Sequence, residues 1–129
     1  MSGEAKTQVL ILDDEPIVCR RLQPNLEKSG YEVETFIRSD EALARVRQKH
    51  FDVVITDIKM EGLDGLGFLE QVKKISPGTE VIVITGFATM DTAKKSFQGG
   101  VFDFVAKPFS LSEIQGIVRK AEQKALQNS

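Results

Sequence analysis

The chain has 129 residues, which is the usual length of one domain and too short for two ordinary domains. Hydrophobic residues make up 41% of it and ten residues are glycine, a globular composition that excludes an intrinsically disordered chain. Seventeen basic and 19 acidic residues leave a net charge of -2, so no nucleic-acid-binding surface is indicated.

The sequence also argues against a membrane or secreted protein. The longest apolar runs, 9–12 and 81–84, are far shorter than the roughly 18 residues that a membrane helix needs. Residues 1–6 lack the apolar centre of a signal peptide. Cys19 is the only cysteine, which excludes an internal disulfide and a cysteine-based zinc site. We therefore expect a soluble, cytoplasmic protein that does not bind a membrane.

The first half of the chain alternates two short apolar segments with two helical patterns. Residues 8–12 predict a buried strand, and residues 32–36 predict a weaker strand typical of a sheet edge. Between them, residues 16–29 predict an amphipathic helix in which Pro24 should produce a local kink. A second helix follows, and Ser39 is predicted to cap it.

The second half continues this alternation. Three further strands are predicted, at 53–56, 81–85 and 102–106. The third helix should direct four apolar residues inward, namely Leu66, Leu69, Val72 and Ile75. Residues 89–98 predict a fourth helix, and Ser110 with Glu113 forms a capping box that opens a fifth. Five strands alternating with five helices predict one α/β domain over residues 1–129, with a parallel sheet covered on both faces. We expect its ordered core to span about 8–126.

Polar residues follow four of the five predicted strands. Asp13 and Asp14 follow the first strand, Asp57 the third, and Lys107 the fifth, while Thr85 ends the fourth. In open parallel sheets, ligands bind beyond the carboxyl ends of the strands, where the strand order reverses. If the first and third strands are neighbours there, three carboxylates meet in one small site.

Three such carboxylates repel one another by roughly 4 kcal/mol for each pair about 4 Å apart, at an effective dielectric constant near 20. Protonation, a bound cation or the ammonium of Lys107 would relieve this repulsion. Carboxylate oxygens around a small site favour Mg²⁺, with Mn²⁺ as an alternative. A divalent ion beside a free carboxylate is typical of phosphoryl transfer, in which Thr85 and Lys107 would bind phosphoryl oxygens.

These residues together resemble a known family. The pair Asp13-Asp14, the segments 53–57 and 60–65, Thr85 and the run 107–109 are similar to the receiver domain of two-component response regulators. The resemblance covers about 8–126 and implies a flavodoxin-like, doubly wound sheet of five parallel strands in the order 2-1-3-4-5. Residues 101–109 resemble receivers of nitrogen-regulation-type transcriptional activators.

The resemblance implies a role for each residue of the set. Asp57 would be the phosphoacceptor, taking its phosphoryl group from a phosphohistidine of a sensor histidine kinase. Asp14, Asp57 and the backbone carbonyl of Lys59 would hold Mg²⁺ directly, and Asp13 would act through water. Lys107 would contact the acyl phosphate and precede a cis peptide bond to Pro108. Thr85 and Phe104 would then move as the switch.

The resemblance also implies partners and an output. The switch would regulate a downstream domain, absent from this chain, or a partner, with transcription as the regulated process. A homodimer through the fourth helix, fifth strand and fifth helix is plausible on the same grounds. The protein would catalyse only its own phosphotransfer and slow autodephosphorylation, so we do not expect an enzyme acting on a metabolite.

Two departures from the family pattern bear on the site. Glu61 stands where the family usually has proline, and Phe104 lacks the hydroxyl of the commoner tyrosine, so the switch would work by packing alone. Lys59 and Phe87 should rim the mouth of the site, where bulky Phe87 would hinder attacking water and lengthen the phosphoryl lifetime. The alternative is that Phe87 belongs to a protein-contact surface.

Two other functions compete with this interpretation. A phosphohydrolase resembling the haloacid dehalogenases would need a second acid two residues after the nucleophile, on the first strand. Lys59 occupies that place, and Asp57 follows the third strand. A receiver-like domain that is never phosphorylated would act by contacts only, which the complete acidic set argues against.

Overall fold

The computed structural model describes residues 5–59 and 65–128 of the chain. It contains one sheet of five parallel strands in the order β2-β1-β3-β4-β5. The strands are β1 Gln8–Leu12, β2 Glu32–Phe36, β3 Val53–Thr56, β4 Glu80–Thr85 and β5 Asp103–Ala106. The helices are α1 Pro16–Lys28, α2 Ser39–Gln48, α3 Gly65–Ile75, α4 Met90–Gln98 and α5 Leu111–Gln127. The predicted fold class is confirmed.

Side chains of the central strands divide between two cores because successive strand residues point to opposite faces. Val9 and Ile11 of β1 belong to one buried cluster, and Leu10 and Leu12 belong to the other. Helices α1 and α5 cover the first cluster, while α2 and α3 cover the second. Both faces of the sheet are therefore covered by helices and shielded from water. This explains why β1, β3 and β4 consist mainly of branched apolar residues.

Helix α4 is held more loosely than the other helices. Ser96 is its one buried residue, whereas each of the other helices buries four. Thr89 caps α4 by accepting a hydrogen bond from the N–H of Thr92, whose side chain in turn accepts one from the N–H of Thr89. The position of α4 therefore depends less on burial and more on its cap and neighbours.

Two local predictions are wrong. Ser39 does not cap α2: Arg38 is the residue with extended backbone before the helix, and Ser39 is its buried first residue. Ile75 does not face the core, because it is the last residue of α3 and remains 38% exposed. Helix α1 runs through Pro24 without ending there. The predicted inward positions of Leu69 and Val72 are confirmed.

The ends of the described chain are fixed to the domain by side-chain hydrogen bonds. Thr7, just outside the expected core of 8–126, donates to Glu122 of α5, which also accepts from the hydroxyl of Tyr31. Asn128 donates from its side-chain amide to Glu80 (2.6 Å) and to the carbonyl of Gly78 (3.2 Å). Over 5–59 and 65–128, we find no helix that is both long and apolar enough to cross a bilayer.

Candidate phosphorylation site

Three aspartates converge at the carboxyl edge of the sheet. Strands β1 and β3 are neighbours, with Leu12 paired to Thr56, so the residues that follow them lie side by side. One carboxylate oxygen from each of Asp13, Asp14 and Asp57 lies within 4.8 Å of the other two. Asp13 and Asp57 are buried, and Asp14 is exposed. The sequence therefore correctly predicts this cluster, and it opens to solvent on the Asp14 side.

The ammonium of Lys107 lies among the buried carboxylates. Its Nζ is 2.9 Å from Oδ2 of Asp13, 3.0 Å from Oδ2 of Asp57 and 2.7 Å from Oε1 of Glu15. Burial alone would lower the pKa of Lys107, but hydrogen bonds to Glu15, Asp13 and Asp57 outweigh it and raise that pKa above its ordinary value. Lys107 is therefore a permanent cation that neutralises part of the cluster.

Lys107 is placed by the end of β5. Its N–H donates to the carbonyl of Thr85 at 2.8 Å, which continues the pairing of β4 with β5. Its peptide bond to Pro108 is cis, as the resemblance implied. Glu15 is the third carboxylate that contacts the Lys107 ammonium. It was not predicted from the sequence, although it directly follows Asp14. A run of three acidic residues before a helix was the signal that could have indicated it.

Backbone N–H groups hold the two buried carboxylates in fixed orientations. Oδ1 of Asp57 accepts from the N–H of Ile58 (2.6 Å) and from that of Lys59 (3.1 Å). Oδ1 of Asp13 accepts from the N–H of Glu15 at 2.9 Å. Burial raises the pKa of Asp13, and the hydrogen bonds from Glu15 and Lys107 only partly oppose it. Each carboxylate thus turns Oδ2 towards the ammonium.

Gly65 brings the start of α3 against the backbone of Asp57. Its N–H donates to the carbonyl of Ile58 at 3.1 Å. A Cβ on Gly65 would lie 1.9 Å from the carbonyl oxygen of Asp57 and 2.3 Å from the Cα of Ile58. No side chain fits in that space, so only glycine allows this approach.

The remaining predicted residues lie on β4 and β5 and in the loops that follow β3 and β4. Thr85 is fully buried, and its hydroxyl accepts a hydrogen bond from the N–H of Phe87 at 3.0 Å. Phe104 is half-buried and packs against the apolar cluster on the α2 and α3 face. Phe87 is 54% exposed, and Nζ of Lys59 lies 5.1 Å from the centre of its ring. The segment 60–64, which includes Glu61, lies outside the described residues.

The carboxylates suit a hard divalent cation. Three carboxylate oxygens within 4.8 Å of one another form an oxygen donor set of the kind that Mg²⁺ takes, and the exposed side of Asp14 leaves room for the waters it retains. Asp13, Asp14 and Asp57 are the side chains that would hold it. Lys107 supplies only one positive charge to the cluster, so a divalent cation would also be favoured electrostatically.

A model of the response regulator receiver domain matches residues 9–119 of the chain. The chain belongs to the response regulator receiver domain family. The receiver domain is 33% identical over 116 residues to the transcriptional regulatory protein ZraR of Salmonella typhimurium, covering 90% of this chain and 26% of ZraR. It is 35% identical over 113 residues to the DNA-binding transcriptional regulator NtrC of that organism, covering 88% of this chain and 24% of NtrC.

The solved structure of a beryllofluoride-activated NtrC4 receiver domain dimer is also similar. It has a TM-score of 0.82 and 33% identity to this receiver domain, covering 95% of this chain and 98% of that one. The predicted resemblance to receivers of the nitrogen-regulation type is confirmed by these relatives. This receiver domain spans about a quarter of the length of ZraR and NtrC.

Proposed function

We propose that the domain is a signalling switch that accepts a phosphoryl group on Asp57 from a phosphohistidine of a sensor histidine kinase. The observation that supports this most directly is the 3.0 Å contact between Oδ2 of Asp57 and the ammonium of Lys107. A buried carboxylate with one oxygen tied to backbone N–H groups and the other beside a fixed cation is positioned to attack phosphorus.

In the transfer step, Oδ2 of Asp57 forms a bond to phosphorus as the bond from phosphorus to the histidine nitrogen breaks. The imidazole leaves with the electron pair of that bond, and the product is an aspartyl phosphate. Lys107 then pairs with a phosphoryl oxygen, since its ammonium already lies beside the attacking atom. Asp13 and Glu15 hold the ammonium there before the transfer.

Asp13, Asp14, Asp57 and the carbonyl of Lys59 are the groups we assign to Mg²⁺, with Mn²⁺ as the alternative ion. The divalent ion, when bound, neutralises phosphoryl oxygens as negative charge builds up on them. Asp14 is the exposed member of the set, so it faces the side from which solvent reaches the site. Asp13 would act mainly through a metal-bound water.

The switch would follow from the new charge on Asp57. A phosphoryl group adds strong acceptor oxygens, and the hydroxyl of Thr85 is the nearby donor that could leave Phe87 to reach them. Phe104 would move inward into the space behind Thr85. Because α4 buries one residue whereas α5 buries four, α4 is the part of the last two βα units that such a change can shift most easily.

The output we propose is regulation of transcription through a further domain or a partner. ZraR and NtrC are transcriptional regulators about four times as long as the matched region, which supports such an arrangement. The NtrC4 receiver domain was solved as a dimer in its activated form. A homodimer through α4, β5 and α5 is the corresponding proposal for this chain, with localisation in the cytoplasm.

The rival functions fit the geometry less well. A phosphohydrolase of the haloacid-dehalogenase type would place a second acid two residues after Asp57, and Lys59 stands there instead. Its ammonium is directed to the ring of Phe87 and not to the carboxylates. A domain that acts by contacts only would have no need of a cation fixed beside a buried acid.

The decisive experiment is incubation with Mg²⁺ and acetyl phosphate, followed by measurement of the intact mass. We expect one added phosphoryl group that is removed by alkali and strongly reduced when the metal is chelated. Asp57→Asn should abolish the addition, whereas Asp91→Asn, which changes an exposed acid on α4, should not. An unmodified wild-type mass would reject the proposal in favour of a domain that acts by contacts only.

A further inference from the structure

A groove with a basic rim runs between α3 and α4. Its larger part has a volume of about 570 Å³, and its floor is formed by Leu66, Leu69 and Gly99. A smaller part of about 330 Å³ shares Leu66 and Lys95 with it and reaches Ile58, directly after the phosphorylation site. The two parts form one elongated depression from the C-terminal half of α3 to the carboxyl edge of the sheet.

The floor of the groove is apolar and closely packed. Leu69 is buried, and Leu66 is half-buried and packs against the buried cluster that α2 and α3 cover. A Cβ on Gly99 would lie 2.9 Å from Cδ2 of Leu69, so a larger residue there would have to displace the leucine. The glycine therefore allows the end of α4 to approach α3, which covers Leu69 and leaves Leu66 as the leucine of the floor that a ligand can reach.

Positive charge is concentrated on the rim. Among the described residues, four lysines line the groove, Lys59, Lys73, Lys74 and Lys95, against two acids, Glu70 and Asp91. The net charge of these six is +2, although the whole chain carries -2. Nζ of Lys73 donates to two neutral carbonyls, those of Pro77 and Thr79, so its charge is not compensated.

The two acids on the rim form only weak ion pairs with its lysines. Glu70 pairs with Lys74 at 3.2 Å, and Asp91 pairs with Lys95 at 3.2 Å. All four side chains are more than half exposed, and such surface pairs contribute about 0–1 kcal/mol. A ligand carboxylate can therefore replace either acid at little cost.

The groove is distinct from the face of α4 that we propose for dimerisation. Met90 and Phe97 are seven residues apart and share one exposed apolar face of that helix. The groove is lined from α4 by Asp91, Thr92, Lys95 and Gln98. At roughly 100° per residue, these lie about 80° to 160° round the helix from Met90. A homodimer on the apolar face would leave the groove accessible.

We infer that this groove binds an acidic amphipathic helix of a partner protein. Leucine-like side chains of that helix would contact Leu66 and the exposed backbone of Gly99, and its carboxylates would pair with Lys73, Lys74 and Lys95. The charge of the rim and the elongated apolar floor both favour this occupant. None of the described residues that line the groove is aromatic, so a nucleotide base would find no ring to stack on.

The test uses the full chain without a phosphodonor, so its outcome does not depend on phosphorylation of Asp57. The probe is a helical peptide of about four turns with leucines in one stripe and glutamates on both flanks. We expect it to shift backbone amide resonances of α3 and α4, and to bind at least fivefold more weakly when salt is raised from 50 to 300 mM. A peptide with lysine in place of each glutamate should not bind.

Variants locate the contact. Lys74→Gln and Lys95→Gln together should weaken peptide binding by about fivefold to tenfold, since each removes one rim charge. Lys94→Gln is the matched control, because it removes a neighbouring charge that does not line the groove. Equal binding by the double variant, shifts centred on Met90 and Phe97, or displacement of the peptide by a nucleoside triphosphate would each overturn the proposal.

Discussion

The hydroxyl of Thr85 accepts a hydrogen bond from the N–H of Phe87 at 3.0 Å, within the turn that follows β4. Thr85 is fully buried, whereas Phe87 is 54% exposed. The same turn therefore joins a buried hydroxyl at the carboxyl end of β4 to an aromatic ring at the surface. Any motion of the hydroxyl towards Asp57 would release this N–H and loosen the turn before α4.

Thr85→Ala should separate phosphorylation from its conformational consequence. Asp57 and Lys107 stay in place, so acetyl phosphate should still modify the protein. Loss of a hydrogen bond to a charged phosphoryl group costs about 1.5–3 kcal/mol, which lowers the population of the switched state about 10- to 150-fold. Amide resonances of α4 measured with and without phosphodonor report that population. Thr85→Ser keeps the hydroxyl and should behave like wild type; an equal loss there would argue against the hydroxyl's role.

Lys107→Gln should lower the free energy of unfolding by about 3 kcal/mol at neutral pH, because it leaves two buried carboxylates without their cation. Glu15→Gln should cost less than about 1 kcal/mol, since the Glu15 side chain is 59% exposed and the ammonium keeps its other two partners. Urea unfolding of both variants measures the difference. Similar losses would show that the buried carboxylates do not depend on the ammonium.

Mg²⁺ should stabilise the wild-type domain against unfolding. At ten times its dissociation constant, a ligand that binds only the folded state contributes about 1.4 kcal/mol. Asp14→Asn should remove most of this gain while preserving the fold, because Asp14 is the exposed acid of the cluster. Thermal unfolding with Mg²⁺ or with chelator measures the effect. Asp91→Asn is the control and should keep the full gain; its loss in that variant would mean that the ion binds elsewhere.

Phe87→Ala should shorten the lifetime of the phosphorylated form severalfold. Nζ of Lys59, two residues after Asp57, lies 5.1 Å from the centre of the ring, so we expect the ring to shield the site and its removal to let water approach the aspartyl phosphate. The rate of phosphate release after removal of phosphodonor measures the lifetime. Phe97→Ala removes a ring of similar exposure on α4 and should leave the rate unchanged. Identical rates for both variants would assign Phe87 to a contact surface instead.

Glu34 should contribute a pH-dependent stabilisation at the β2 edge. Hydrogen bonds from Arg45, at 2.8 and 3.0 Å, and from Lys49 lower the pKa of Glu34 despite partial burial. Because the pKa of Glu34 is lower in the folded state, its contribution to the free energy of unfolding is complete when the pH is above the ordinary glutamate pKa. This contribution is lost as the pH falls through the lowered, folded-state pKa. The stability difference between wild type and Glu34→Gln should be up to about 1 kcal/mol at pH 7 and should shrink as pH falls below the ordinary glutamate pKa.

The matched control for this prediction is Glu27→Gln, whose side chain bonds only weakly to exposed Gln23 at 3.4 Å. It should change the free energy of unfolding little in urea unfolding, since it removes only this exposed contact. A Glu34→Gln difference that persists undiminished at pH 3 would mean that packing of the side chain, and not its charge, carries the effect.

Apolar periodicity was sufficient to predict the ten elements, because buried strands and amphipathic helices carry their burial in their own sequences. The strand order was not readable in this way, since nothing local in 8–12 or 53–56 records which strands become neighbours; the family resemblance supplied it. The capping prediction for α2 failed for a local reason. Arg38, and not Ser39, has the extended backbone conformation of the capping residue, and Ser39 is instead a buried residue inside the helix.

The site, like the fold, could be predicted only in part from the sequence. Asp13, Asp57 and Lys107 were predictable as residues that follow strands, and the structure brings them together. Glu15 was missed because its contact with Lys107 depends on the assembled sheet: β3 and β4 lie between β1 and β5, and the ammonium of Lys107 extends past them to within 2.7 Å of Glu15. Contacts between residues 92 positions apart depend on how the whole sheet is assembled.

The contact between Gly65 and Asp57 gives the domain a mechanical connection. With no room for even a methyl group between them, a shift of the Asp57 backbone towards Gly65 would push against the first turn of α3. Leu66 follows Gly65 directly and forms part of the groove floor. A displacement of the Asp57 backbone by a fraction of an ångström would therefore shift Leu66 in the groove floor. Binding of a helix between α3 and α4 would then change without any movement of Thr85 or Phe104.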